Sequence, residues 1–222
     1  MGAERGRSRS TPAGAGHGSV ELSRGDGEPD RTLWPPPMLT PLETEADGTT
    51  ARARPRRRPA AGGTDLRLVI RTDGAARSNP GPAAAGAVLI DAERADARDP
   101  SAPPLATISD YLGIQTNNVA EYTALVRALR LAVELGAVEV DLLLDSKLIV
   151  EQLLGRWRVK DVKLRPLHAE ARELLRGFGR WTAAHVPRAQ NGAADALCNE
   201  AIDRALAGGP ASVVRRPDRP GS

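Results

Sequence analysis

Apolar and polar positions fall into an ordered series from residue 66 onward. "LRLVIRTDG" is an apolar, β-branched run that ends in polar residues and glycine, and "AAAGAVLIDA" is a second such run. The intervening "GAARSNPGP" carries the Gly, Asn and Pro of a tight turn, so the two runs are predicted to form a hairpin. "ATISDYLGI" supplies a third strand. From Asn117 to Leu135, Ala120, Leu125, Ala128, Leu129, Ala132 and Leu135 recur at helical spacing, and Gly136 is placed to cap the C-terminus. "VEVDLLLD" then reads as a buried strand, "SKLIVEQLLG" and "LRPLHAEARELLRGF" as helices, "RWTAAHVP" as a fifth strand and "NGAADALCNEAIDRAL" as a closing helix.

The predicted order is βββαβααβα. Three strands followed by strands alternating with helices imply an α/β fold, a five-stranded mixed sheet flanked by helices, with the later strands parallel through helical crossovers. The folded domain is expected over residues 64–207. Residues 1–63 are rich in Gly, Pro, Ser, Thr and Arg without apolar periodicity, and disorder is expected there and in 208–222. Arg52, Arg54, Arg56, Arg57 and Arg58 form a basic cluster with two readings, a grip on nucleic-acid phosphates or a solvated linker. Met38 offers an alternative translation start.

Composition narrows the class. With 222 residues, 41% hydrophobic and 3% aromatic, the chain suits one core plus extended tails. Leu66 to Leu206 holds 18 Lys/Arg and 18 Asp/Glu, so the formal +3 comes from the flanks, where 13 basic residues stand against 10 acidic. No apolar run approaches the ~20 residues that span a bilayer, and the N-terminus lacks a basic-then-apolar leader, so a cytoplasmic protein without membrane attachment is expected. Cys198 is the only cysteine, which excludes an intramolecular disulfide and a Cys/His zinc cluster; it reads as a small buried helix residue.

Four acids sit where a sheet gathers them. Asp73 ends the first strand, Asp145 ends the fourth, Glu121 lies in the first helix and Asp195 begins the last. Carboxyl ends of adjacent strands open onto the ligand crevice of α/β sheets, so Asp73 and Asp145 become neighbours if the first and fourth strands pair in parallel. Clustered carboxylates repel and take up protons unless divalent cations neutralise them, and oxygen-only ligands favour Mg²⁺ or Mn²⁺. Taken singly, such an acid is more often a turn, cap or solvent-facing residue.

The wording around those acids changes this. "TDGAARSNPGPAAAGAVL", "QTNNVAEYTAL", "LLLDSKLIVEQL" and "HVPRAQNGAADALCNEA" closely resemble, in order, the four motif blocks of type 1 ribonuclease H, over about Leu66 to Leu206. The resemblance implies a ribonuclease H-like fold and endonucleolytic hydrolysis of the RNA strand of RNA/DNA hybrids, leaving 5′-phosphate and 3′-hydroxyl ends. It implies that Asp73, Glu121, Asp145 and Asp195 bind two Mg²⁺ ions, with Mn²⁺ as a possible substitute, Asp73 and Asp145 being common to both.

Further roles follow from the same resemblance. His185 stands ten residues before Asp195, where the family places a catalytic-loop histidine suited to moving protons, although it also reads as a strand-end residue. Asn79, Asn117 and Asn118 resemble the residues that read the hybrid's minor groove, Thr116 the anchor for a DNA-strand phosphate, and Gly74 a point of close substrate approach. His168 matches no motif role. The family's Trp-rich basic handle is absent: "GRWRVKDVKLRPL" is short and mildly basic, as in the compact branch, with Trp157, Arg158 and Lys160 as partial replacements. A monomer with no obligate protein partner is expected. The competing classes are a non-catalytic nucleic-acid-binding module of the same fold, against which all four acids stand, and an integrase- or resolvase-like transferase, which the wording fits poorly.

Overall fold

The structure, a computed structural model, describes residues 65–216. The Arg52 to Arg58 cluster and Met38 lie outside the described residues. Six strands and four helices follow in the order β1 (Arg67–Ala76), β2 (Gly81–Asp91), β3 (Ala106–Gln115), α1 (Asn117–Glu134), β4 (Glu139–Leu144), α2 (Lys147–Leu153), α3 (Leu164–Gly177), β5 (Arg180–His185), α4 (Gly192–Leu206) and β6 (Ser212–Arg215), with a 3-10 turn at Arg188–Gln190 before α4. The strands form one mixed sheet ordered β5-β4-β1-β2-β3-β6.

β1, β2 and β3 make an antiparallel meander, and β4 pairs parallel with β1, as does β5 with β4. The sheet is covered on both faces, which is why its central strands read as continuous apolar runs. Leu68, Ile70, Leu89, Ile108, Leu142 and Leu144 pack with α1, α2 and α3 on one face. The alternate positions Val69, Val88, Ile90 and Leu143 meet Leu197 of α4 and the 92–105 loop on the other. Each such side chain taken from water contributes roughly 1.5–3 kcal/mol.

α1 ends as its pattern predicts. Gly136 adopts φ +81°, its amide donates to the Val133 carbonyl, and the Ala137 amide donates to that of Ala132, the paired bonds of a Schellman cap.

The five-strand expectation is corrected by one strand. Ser212–Arg215, inside the segment expected to be a disordered tail, pairs antiparallel with Thr107–Asp110 of β3. The Ser212 hydroxyl donates to the buried Asp110 carboxylate, which also accepts from Arg127. Four residues between turn-forming segments carry no period of their own; β3 and Asp110 create the strand.

Candidate active site

Register puts the first two acids side by side. Thr72 of β1 pairs with Leu144 of β4, so Asp73 and Asp145 occupy adjacent positions at the C-terminal ends of two parallel strands. Glu121 arrives from α1. A β-carbon on Gly74 would lie within 2.3 Å of the Ala120 carbonyl carbon and closer still to the Glu121 amide, so glycine there admits the helix backbone itself. On the other face, Gly86, the partner of Asp73 across the hairpin, likewise admits the Ala194 carbonyl at the start of α4. Two glycines thus bring Glu121 and Asp195 toward Asp73 from opposite sides of the sheet.

Asp73, Glu121 and Asp145 each offer a carboxylate oxygen within 4.8 Å of the others. Asp195 stands outside that trio: Arg188 donates to its Oδ1 at 2.7 Å and Asn199 Nδ2 to its Oδ2 at 3.0 Å. Asp73 is 2% exposed, and its Oδ2 is buried without a hydrogen-bond partner. Burial first, then the charges of Asp145 and Asp195, pushes the Asp73 carboxyl up to about 6. Burial and the charges of Asp73 and Asp145 push Glu121 up to about 9, and Arg188 pulls both downward. An unpartnered buried oxygen inside a set of mutually repelling, oxygen-only donors fits a hard divalent cation.

The other predicted residues distribute around this cluster. Asn79, exposed in the β1–β2 turn, accepts the Asn117 amide on Oδ1 at 3.1 Å. Thr116 is the N-cap of α1, its hydroxyl accepting from the Val119 amide, and Asn117 Nδ2 lies 3.5 Å from Glu121 Oε1. Asn118 is exposed beside them. Of these side chains Asn117 reaches a carboxylate, that of Glu121, and Asn79 and Thr116 bond to backbone amides at the start of α1. At Gly74 the close approach is that of α1, whose backbone lies where a β-carbon would stand. His185 ends β5 with its ring on the Asp145 carbonyl at 3.2 Å, engaging the backbone of that residue and not its carboxylate. His168 lies at the protein boundary, its Nε2 3.2 Å from the Gln152 carbonyl. Trp157, Arg158 and Lys160 are exposed in the α2–α3 connection. Cys198 is buried, as expected, with its thiol donating to the Asp73 carbonyl.

Two residues escaped the sequence reading. Asn191 is buried and donates through Nδ2 to the Thr72 carbonyl at 2.8 Å and to Asp145 Oδ1 at 2.9 Å, fixing that carboxylate. Arg188 is a cation facing the cluster. Both belong to the "PRAQN" wording ahead of α4, which was the available signal.

Fold and site together define an α/β protein with a carboxylate centre suited to divalent cations. Residues 71–201 match the family model described as Reverse transcriptase-like. The chain is 47% identical over 133 residues to ribonuclease HI of Halobacterium salinarum, an alignment covering 60% of this chain and 63% of that protein. Among solved structures, the N-terminal RNase H domain of Rv2228c from Mycobacterium tuberculosis is 46% identical, with a TM-score of 0.57 over 62% of this chain and 100% of that one. LC11-RNase H1, isolated from compost by a metagenomic approach and solved in complex with an RNA/DNA hybrid, is 40% identical, with a TM-score of 0.56 over 63% of this chain and 99% of that one. The chain belongs to the ribonuclease H family. It spans less than two thirds of the length of the Halobacterium protein, and no helix among the described residues is long and apolar enough to cross a membrane.

Proposed function

We propose that this domain hydrolyses the RNA strand of RNA/DNA hybrids endonucleolytically, using divalent cations held by Asp73, Glu121, Asp145 and Asp195. The observation that carries this reading is the approach of Asp73, Glu121 and Asp145 to within 4.8 Å around a buried, unpartnered carboxylate oxygen. The hybrid bound to the LC11 relative supports the substrate class.

Paired divalent ions on such carboxylates supply an activated water and stabilise charge on the leaving oxygen of a phosphodiester. The protein's own groups do the rest. Asn191 holds the Asp145 carboxylate in one orientation through its 2.9 Å bond. Arg188 keeps positive charge beside Asp195 and favours the ionised forms of Asp73 and Glu121. Asn79, Asn117 and Asn118 form a polar edge at the start of α1 for reading 2′-hydroxyls in a minor groove, with Thr116 for a DNA-strand phosphate and Gly74 setting the helix that carries Glu121. His185, seated on the Asp145 carbonyl, is assigned to proton movement or product release. The reading extends to Mg²⁺ as the working ion with Mn²⁺ as a substitute, and to a cytoplasmic monomer.

The test is cleavage of an end-labelled RNA/DNA hybrid beside single-stranded RNA and double-stranded DNA, with Mg²⁺, with Mn²⁺ and with chelator. Metal-dependent cutting confined to hybrid RNA supports the reading; tight hybrid binding without cutting replaces it with a binding module.

A further inference from the structure

Arg71 is buried to 1% exposure in the middle of β1. It stands two residues before Asp73, and so on the same face of the strand. Among the described residues no carboxylate lies within ion-pairing distance of it. Its guanidinium donates instead to two backbone carbonyls, from Nη1 to Gln190 at 2.8 Å and from Nη2 to Arg98 at 2.7 Å, while Nε has no partner. The charge of Asp99 favours the cation only from beyond ion-pair distance; a buried cation so weakly compensated is costly, and an apolar side chain of similar volume is commonly no less stable in such a place. The neighbouring Leu68, Val69 and Ile70 show what the strand otherwise selects.

What Arg71 reaches gives it a role. The 3-10 turn Arg188–Gln190 has no buried residue of its own, and so no apolar anchor. It nevertheless carries Arg188, which pairs with Asp195, and leads into Asn191, which holds Asp145. The Asn191 carbonyl in turn accepts the amides of Ala194 and Asp195 in the first turn of α4. Any displacement of the Gln190 carbonyl therefore passes to three groups around the carboxylates. The second arm, on Arg98, ties the same side chain to the loop that closes this face of the sheet.

We propose that Arg71 is a positioning residue that braces the Arg188–Asn191 turn from within the sheet, setting the registry of Arg188, Asn191 and Asp195 against Asp73 and Asp145. Its catalytic consequence rests on the hydrolytic reading above; its mechanical consequence does not.

The test compares the parent with Arg71→Met, which keeps length and volume, and Arg71→Lys, which keeps charge but lacks the planar two-armed fork. Three properties are read: thermal midpoint, hybrid cleavage with Mg²⁺, and deuterium exchange of the amides from 188 to 195. In Arg71→Met, kcat is expected to fall about tenfold to a hundredfold with KM little changed. Exchange in 188–195 is expected to accelerate roughly tenfold while β1 and β4 keep their protection, and Arg71→Lys falls between. Parental exchange and turnover in both variants overturn the proposal. So does an acceleration spread evenly over the whole sheet, or failure of both variants to fold, since either marks a general stabiliser. If the parent itself does not cut hybrid, the hydrolytic reading fails and the exchange data alone still decide the brace.

Discussion

A β-carbon on Gly74 would lie 1.9 Å from the amide nitrogen of Glu121. Helix and strand are therefore in backbone contact at the point where Glu121 must reach Asp73, and any side chain at position 74 pushes α1 off the sheet. Gly74→Ala is expected to cost about 1–3 kcal/mol through overpacking and to separate Glu121 from the other acids. Thermal melting and hybrid cleavage check this together. A variant of parental stability and turnover would show that the contact is not needed.

Crowded carboxylates also set how the metal-free protein responds to pH. The Glu121 carboxyl is raised from its ordinary 4.5 to about 9, and that of Asp73 from 3.8 to about 6. Between each pair of values the folded chain keeps a proton that the unfolded chain releases, so stability is lost as pH rises through that window. In chelator the thermal midpoint is expected to be lower at pH 8 than at pH 5.5. Glu121→Gln should flatten that dependence, and Mg²⁺ should raise the midpoint more at pH 8, where the site is charged. A midpoint that climbs with pH in chelator, and is indifferent to Glu121→Gln, contradicts the assigned burial.

Much of this site was legible because its parts lie at the ends of strongly patterned segments. Asp73 and Asp145 each close an apolar run, and parallel pairing of those runs was enough to make them neighbours. Asn191 and Arg71 were not legible, because each has a partner that lies 119 residues away in the chain. Asn191 looks like an ordinary helix-start residue until its side chain turns back to Thr72 and Asp145, and Arg71 looks like the polar end of a strand. β6 was missed for a related reason: its hydrogen bonds belong to β3, and its four residues carry no alternation that distinguishes them from a tail. Asn79 was read as a groove residue and Thr116 as a phosphate anchor, while local bonds to the start of α1 also give them capping duties.

Arg188 tests the electrostatic side of the site. It is 74% exposed and its pair with Asp195 sits at the surface, so Arg188→Ala is expected to change stability by under about 1 kcal/mol. Its charge nevertheless eases ionisation of both Asp73 and Glu121. Without it these carboxyls hold their protons to higher pH, so the acid limb of the pH–rate profile should move upward, with partial recovery at raised Mg²⁺. The profile at two Mg²⁺ concentrations reads this directly, and an unshifted acid limb would sink the assignment.

Asp73→Asn separates charge from shape. Asparagine retains the size of the side chain but removes the one carboxylate that, among the described residues, is buried with an unpartnered oxygen, and that faces the charges of Asp145 and Asp195. Loss of that repulsion should leave the metal-free fold at least as stable as the parent, because a desolvated like charge has been deleted. The same change takes away a charged ligand from the centre of the trio, so cleavage is expected to disappear with Mg²⁺ and with Mn²⁺, while hybrid binding in chelator stays near the parental level. Melting, cleavage and binding measured on one preparation distinguish the outcomes. A stable variant that binds hybrid and cannot cut it places Asp73 in the chemistry, whereas retained turnover would remove Asp73 from the metal site and with it the proposed centre.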